Sequence, residues 1–114
     1  MRKDYLRYAL GLLALLLSWG LYLSYLWSKM LFWTRDGLTS GWIGIWADWS
    51  VHFSYAGVFA YRPITDWFTV HPLYYARKFT YPFVADMISG ILIRLGADQV
   101  TAFIIPSIIT TLFL

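Results

Sequence analysis

The chain has no cysteine and no glutamate. The first absence excludes disulfides, thiolate nucleophiles and thiolate metal sites. The second leaves six aspartates, Asp4, Asp36, Asp48, Asp66, Asp86 and Asp98, to carry any carboxylate chemistry. Charge of either sign is scarce, at 13% of 114 residues against about 25% in an ordinary globular domain. The net charge of +3 is spread along the chain. With no block of like charge and no nucleic-acid motif, no nucleic-acid partner is expected.

What fills the chain is apolar: 60% of its residues are hydrophobic and 21% aromatic. A soluble domain of this size buries only roughly two-thirds of its surface, too little to hide so much apolar area. Lipid is therefore the expected solvent. From Tyr8 to Ser28 run 21 residues without a formal charge, and a bilayer core of about 30 Å needs about 20 helical residues. Residues 8–30 are thus expected to be a membrane-spanning helix, with Trp27 and Trp33 near its exit where amphipathic rings favour the interface. The rival is a signal peptide, since Arg2, Lys3 and Arg7 precede the leucine run. Ser18-Trp19-Gly20 makes a poor cleavage site, and the apolar stretch continues past it.

Residues 31–82 differ in character, holding five of the seven tryptophans and both histidines. Gly37, Gly41 and Gly44 predict a loop, and the apolar spacing from Ala47 to Tyr61 predicts a short helix. Arg62-Pro63 should end that helix, because a residue before proline is pushed out of helical geometry. The whole segment is expected to lie at the membrane face. Pro82 can open the next helix, 82–96. Phe83, Val84, Met87, Ile88, Ile91, Leu92 and Leu95 form one apolar stripe, while Asp86, Ser89 and Gly90 fall on the other side. That pattern gives a helix with one face to lipid and one to protein. Arg94 would reach the far interface by extending its alkyl stem. After a turn at 96–99, residues 100–114 are apolar again, short for a crossing, and read as a truncated helix. The fold expected is all-α: a multi-pass membrane protein with about three helical crossings, the third incomplete, and interfacial helices in a long first external loop. The basic N-terminal flank favours a cytoplasmic N terminus in the cell (inner) membrane.

The densest polar cluster is Trp46-Ala47-Asp48-Trp49-Ser50-Val51-His52, continuing to Tyr55. On a helix Asp48 and His52 are four apart and share a side, and Tyr55 extends that stripe. A carboxylate beside an imidazole can share a proton, bind a divalent cation or deprotonate a hydroxyl. It can equally hydrogen-bond to headgroups or water and do nothing more. His71, before Pro72, is expected to make local hydrogen bonds. Asp86 is either a functional group facing a bundle interior or a first-turn aspartate favoured by the helix dipole. Arg62, Arg77 and Lys78 can hold a lipid phosphate or anchor at the interface.

Taken together, Ala47-Asp48-Trp49-Ser50-Val51-His52-Phe53-Ser54-Tyr55, then His71-Pro72-Leu73-Tyr74, Phe79-Thr80-Tyr81-Pro82-Phe83 and Arg94-Leu95-Gly96, resemble the start of the GT-C-fold membrane glycosyltransferases. These enzymes use polyprenyl-phosphate sugars and include protein O-mannosyltransferases and the lipid A aminoarabinose transferases. The resemblance covers most of this chain but only about the first quarter of such an enzyme. It departs where relatives carry an Asp-Glu pair, since Asp48 is followed by Trp49. It implies Asp48 as general base, alone or with a divalent cation, and His52 as its orienting partner or a phosphate contact. It also implies Tyr55, Arg62, Arg77 and Lys78 on the substrate side, and a polyprenyl-phosphate-linked sugar and membrane lipid as partners. The alternatives are a small noncatalytic membrane subunit that docks on a larger partner, and a transporter fragment with Asp86 and Arg94 along its path.

Overall fold

The computed structural model describes residues 2–41, 46–80 and 83–113. The expectations placed on Gly44, the Tyr81-Pro82 pair and Leu114 lie outside these residues. The described residues are mostly helical. In chain order they form α1 (Arg2–Met30), β1 (Phe32–Thr34), β2 (Gly37–Thr39), α2 (Trp46–Tyr61), a single 3-10 turn (Ile64–Asp66), α3 (Val84–Arg94) and α4 (Gln99–Phe113).

Helix α1 has 29 residues and runs unbroken through Ser18-Trp19-Gly20. Its segment Tyr5–Met30 is long and apolar enough to cross a membrane, and the strongest window of that segment is not buried against the rest of the chain. Leu6, Leu13, Leu17 and Leu21 are all exposed. No other described helix passes the same test. At about 1.5 Å per residue, α3 with its 11 residues covers only about half of a bilayer core. The expected helix over 82–96 is therefore present but too short to be a crossing by itself.

Where α1 ends, the chain turns back on itself. The expected loop holds an antiparallel hairpin instead, with Phe32 opposite Thr39 and Thr34 opposite Gly37. Gly37 takes φ +122°, a left-handed-side conformation that glycine adopts without steric cost. Thr34 Oγ1 donates to the Gly37 carbonyl and accepts from the Asp36 N–H, closing the turn. Gly41 N–H then donates to the Lys29 carbonyl at 3.0 Å, satisfying one of the open carbonyls at the end of α1. A Cβ at Gly41 would lie 2.6 Å from that oxygen, so a side chain is excluded there.

Helices α2, α3 and α4 pack together. Helix α2 ends at Tyr61, just before Arg62-Pro63, as proline geometry requires. It buries Tyr55, Ala56, Val58, Phe59 and Ala60. Helix α3 meets it with Asp86, Ser89 and Gly90, while Val84 and Ile88 stay exposed. The small residue at Gly90 is obligatory: a Cβ there would run into the Ala56 carbonyl and the Phe59 side chain. Around Phe59 stand Trp67, Phe68, Phe79 and Phe83, with ring centroids 5.1 to 6.1 Å apart. On the other flank, Leu31 at the end of α1 is buried with Ala56 and Phe103.

Arg94 departs from the expected role of an interfacial anchor. Its guanidinium donates to the carbonyls of Ala60 and Arg62 and lies 5.7 Å from the centre of the Trp67 ring. It thus satisfies carbonyls at and just beyond the C-terminal end of α2, where a cation is favoured. Helix α3 itself ends in a Schellman arrangement. Gly96 at φ +99° donates to Ile93, and Ala97 donates to Leu92. Asp98 then caps α4 by accepting from the Thr101 N–H at 3.1 Å.

Candidate functional site

A cleft opens between α2, α3 and α4. Its inner chamber, about 190 Å³, is lined by Trp49 and His52 of α2, Ala85, Asp86 and Ser89 of α3, and Phe103, Pro106, Ser107 and Thr110 of α4. A neighbouring depression of about 250 Å³ shares Trp49, His52 and Ser107 and adds Asp48 and Met30. Asp48 therefore stands on the rim, next to the end of α1.

Each lining group has a local reason for its place. Asp48 and Asp86 both lie in the first turn of their helices, where a negative charge is favoured. Pro106 interrupts the hydrogen-bond ladder of α4, and Ser107 and Thr110 bond back to the carbonyls of Phe103 and Pro106. Trp49 is held edge-on to Phe103, with centroids 5.5 Å apart, and also contacts Phe53. Its indole Nε1 is shielded from solvent and has no acceptor among the described residues.

The central contact joins residues 34 apart in sequence: His52 Nδ1 lies 2.9 Å from Asp86 Oδ1. The Asp86 side chain is 5% exposed and that of His52 39%. Burial pushes the Asp86 carboxyl above the usual carboxylate range, while the charge on His52 and their hydrogen bond pull it down. With the carboxylate as acceptor, Nδ1 carries the proton and donates it. That leaves Nε2 as the ring's free lone pair.

The residues singled out from sequence are distributed as follows. Asp48 and His52 do share a face of α2 and open on the same depression. Asp48 is exposed and has no hydrogen-bond or ion-pair partner among the described residues, so the imidazole's carboxylate partner is Asp86 instead. Tyr55 is buried against the rings of His71 and Phe79 and lines neither chamber. Arg62 donates to the Val70 carbonyl. Arg77 sits 6.0 Å from the Tyr74 ring centre, and Lys78 is exposed. These three cations lie on the 62–78 segment and contribute nothing to the cleft lining. His71 makes the local bond expected of it, its Nδ1 accepting from the Leu73 N–H.

Sequence reasoning did not pair Asp86 with His52, nor assign Ser89 and Ser107 to a site. Only the polar face of α3 pointed that way. Among the described residues, no three histidine or carboxylate groups gather closely enough to hold a metal ion. A divalent cation beside Asp48 would take most of its ligands from water or a substrate phosphate, as Mg²⁺ commonly does. Comparisons with protein-family models, curated proteins and solved structures find no match.

Proposed function

We propose that this chain is the N-terminal part of a membrane glycosyltransferase, moving a sugar from a polyprenyl-phosphate donor to an acceptor at the external membrane face. One observation carries the reading. A carboxylate without a partner among the described residues, Asp48, and a carboxylate-anchored imidazole, His52, open on one cleft beside the end of the chain's membrane-length helix. Such a pair can take the proton of an acceptor hydroxyl. The acceptor oxygen then bonds to the anomeric carbon as the bond to the lipid phosphate breaks, with inversion. In this reading α1 crosses the membrane with its N terminus cytoplasmic. The apolar α4 begins a further crossing of a multi-pass protein, and α2 and α3 sit in the external headgroup layer. Arg62, Arg77 and Lys78 face the headgroups, where they can hold lipid phosphate.

The two rival readings draw less support from the geometry. A docking subunit would present its tryptophans outward; Trp33 is exposed, whereas Trp49 is committed to Phe53 and Phe103. A transport path through Asp86 and Arg94 would need both to line one channel, yet Arg94 is engaged with the carbonyls of Ala60 and Arg62.

The test is transfer of a radiolabelled sugar from polyprenyl phosphate by the natural full-length protein in membranes. Asp48→Asn is expected to abolish transfer while leaving membrane insertion intact. Full activity in that variant would remove the catalytic assignment.

A further inference from the structure

The inner chamber holds a buried carboxylate, Asp86, to which the proposed reaction has given no role beyond anchoring His52. Among the described residues, no Lys or Arg lines the chamber. Asp86 is in the wall and Asp48 stands at the neighbouring rim. An anionic group entering there would meet the Asp86 carboxylate with no Lys or Arg among the described lining residues to balance it. The chamber therefore excludes phosphate and selects a neutral ligand. Its imidazole suits an alcohol: with Nδ1 committed to Asp86, the lone pair on His52 Nε2 can accept a hydroxyl proton. Trp49, Phe103 and Pro106 supply apolar walls, the common setting for a few well-placed polar groups.

We infer that the inner chamber is the site of the neutral, hydroxyl-bearing acceptor, and that His52 and Asp86 act there as a proton-accepting dyad. His52 Nε2 is the catalytic atom and Asp86 is a positioning residue. Asp86 accepts the Nδ1–H bond, fixes the tautomer that leaves Nε2 unprotonated, and stabilises the imidazolium formed when the proton arrives. The inference rests on the glycosyl-transfer reading only for the electrophile. In that step the hydroxyl proton moves to Nε2 as the oxygen bonds to the anomeric carbon. The carbon–oxygen bond to the lipid phosphate breaks, and its electron pair leaves with the phosphate. The imidazolium, whose side chain is 39% exposed, then gives its proton to water. The titratable groups facing His52 are Asp48 from its own helix and Asp86 from α3. Helix α4 presents Ser107 and Thr110, and the end of α1 presents Met30.

The experiment uses the whole chain in bicelles with ¹⁵N-labelled histidine and His71→Gln, which leaves His52 as the single signal. The expected spectrum at neutral pH shows a protonated Nδ1 and a bare Nε2. Asp86→Asn should mix the two tautomers, and Asp86→Glu should restore part of the original preference. A circular dichroism melt checks that both variants stay folded. A protonated Nε2 in the unsubstituted dyad would overturn the assignment, because Asp86 would then be the donor. Titration with methyl glucoside should shift the Nε2 resonance, whereas glucose 1-phosphate should not. The reverse order would overturn the choice of a neutral ligand. In the transfer assay, Asp86→Asn should lower kcat many-fold, leave KM for the lipid donor unchanged and displace the acid limb of the pH profile. An unchanged kcat and pH profile would overturn the positioning role. If no polyprenyl-phosphate sugar is a donor, the glycosyl-transfer reading falls while the tautomer and titration results still decide the dyad. If transfer occurs with the wrong tautomer, the dyad falls alone.

Discussion

Helix α1 and the α2–α4 unit are built from similarly apolar residues but use them in opposite ways. In α1 the leucines point outward on every side and touch little else of the chain. In the α2–α4 unit the large aromatics point inward, around Phe59 and Phe103, and one helix turns its small and polar residues to the centre. Hydrophobicity alone does not separate the two regions. What separates them is whether an apolar side chain has a protein neighbour, and therefore whether shape matters. A leucine in α1 has almost no protein neighbour to fit. Phe59 must fit.

The contrast can be tested by making matched changes in both regions. The largest effect is expected at the aromatic centre. Phe59→Ala should cost the α2–α4 unit about 3–5 kcal/mol, seen as a lost or strongly lowered thermal transition in bicelles. Leu13→Ala in α1 should leave that transition in place. A change of comparable size at Leu13 would mean that α1 is packed against protein after all.

A sharper comparison exchanges one glycine for alanine in each region. Gly90→Ala places a methyl group on the Ala56 carbonyl and Phe59, and should cost about 1–3 kcal/mol as overpacking. Gly11→Ala in α1 meets nothing within 4 Å and should stabilise its helix by up to about 1 kcal/mol. The same atoms added to two apolar helices should thus act with opposite signs. Equal signs in a denaturation series would collapse the distinction.

The smallest effect concerns the start of α4. Asp98→Ala removes the cap on Thr101 and should cost about 1 kcal/mol. Its hydrogen bonds to Thr101 hold the Asp98 carboxyl below its usual range. Their contribution is therefore present above the unfolded value near 3.8 and lost as pH falls through the folded one. The gap between wild type and variant should close in acid, as thermal melts at pH 6 and pH 3 would show.

The sequence spoke clearly where one element decides its own fate. The uncharged run from Tyr8 to Ser28 announces α1, Arg62-Pro63 marks the end of α2, and the division of α3 into an apolar stripe and an Asp86-Ser89-Gly90 face matches the side it buries. The hairpin at 32–39 was hidden by its length, since three-residue strands are too short to show an alternating pattern. Its one local signal was Asp36-Gly37. The site was legible only in half. Spacing within α2 brings Asp48 and His52 to one side, but no local rule connects residue 52 with residue 86. That contact depends on how α2 crosses α3, which Gly90 makes possible by its close approach to Ala56. Arg94 misled for the same reason: a cation near a helix end suits an interface or a neighbouring carbonyl equally well, and only the fold decides.

The reversed face of α3 has a further consequence for anyone handling the protein. With Asp86, Ser89 and Gly90 turned inward, the outward surface is left to Val84, Ile88 and Leu95, and that of α4 ends in Leu112 and Phe113. Cutting away the leucine-rich α1 would therefore still leave a strongly apolar surface on the rest of the chain. The remainder would still need amphiphile around it, and its choice of detergent would govern whether it survives purification.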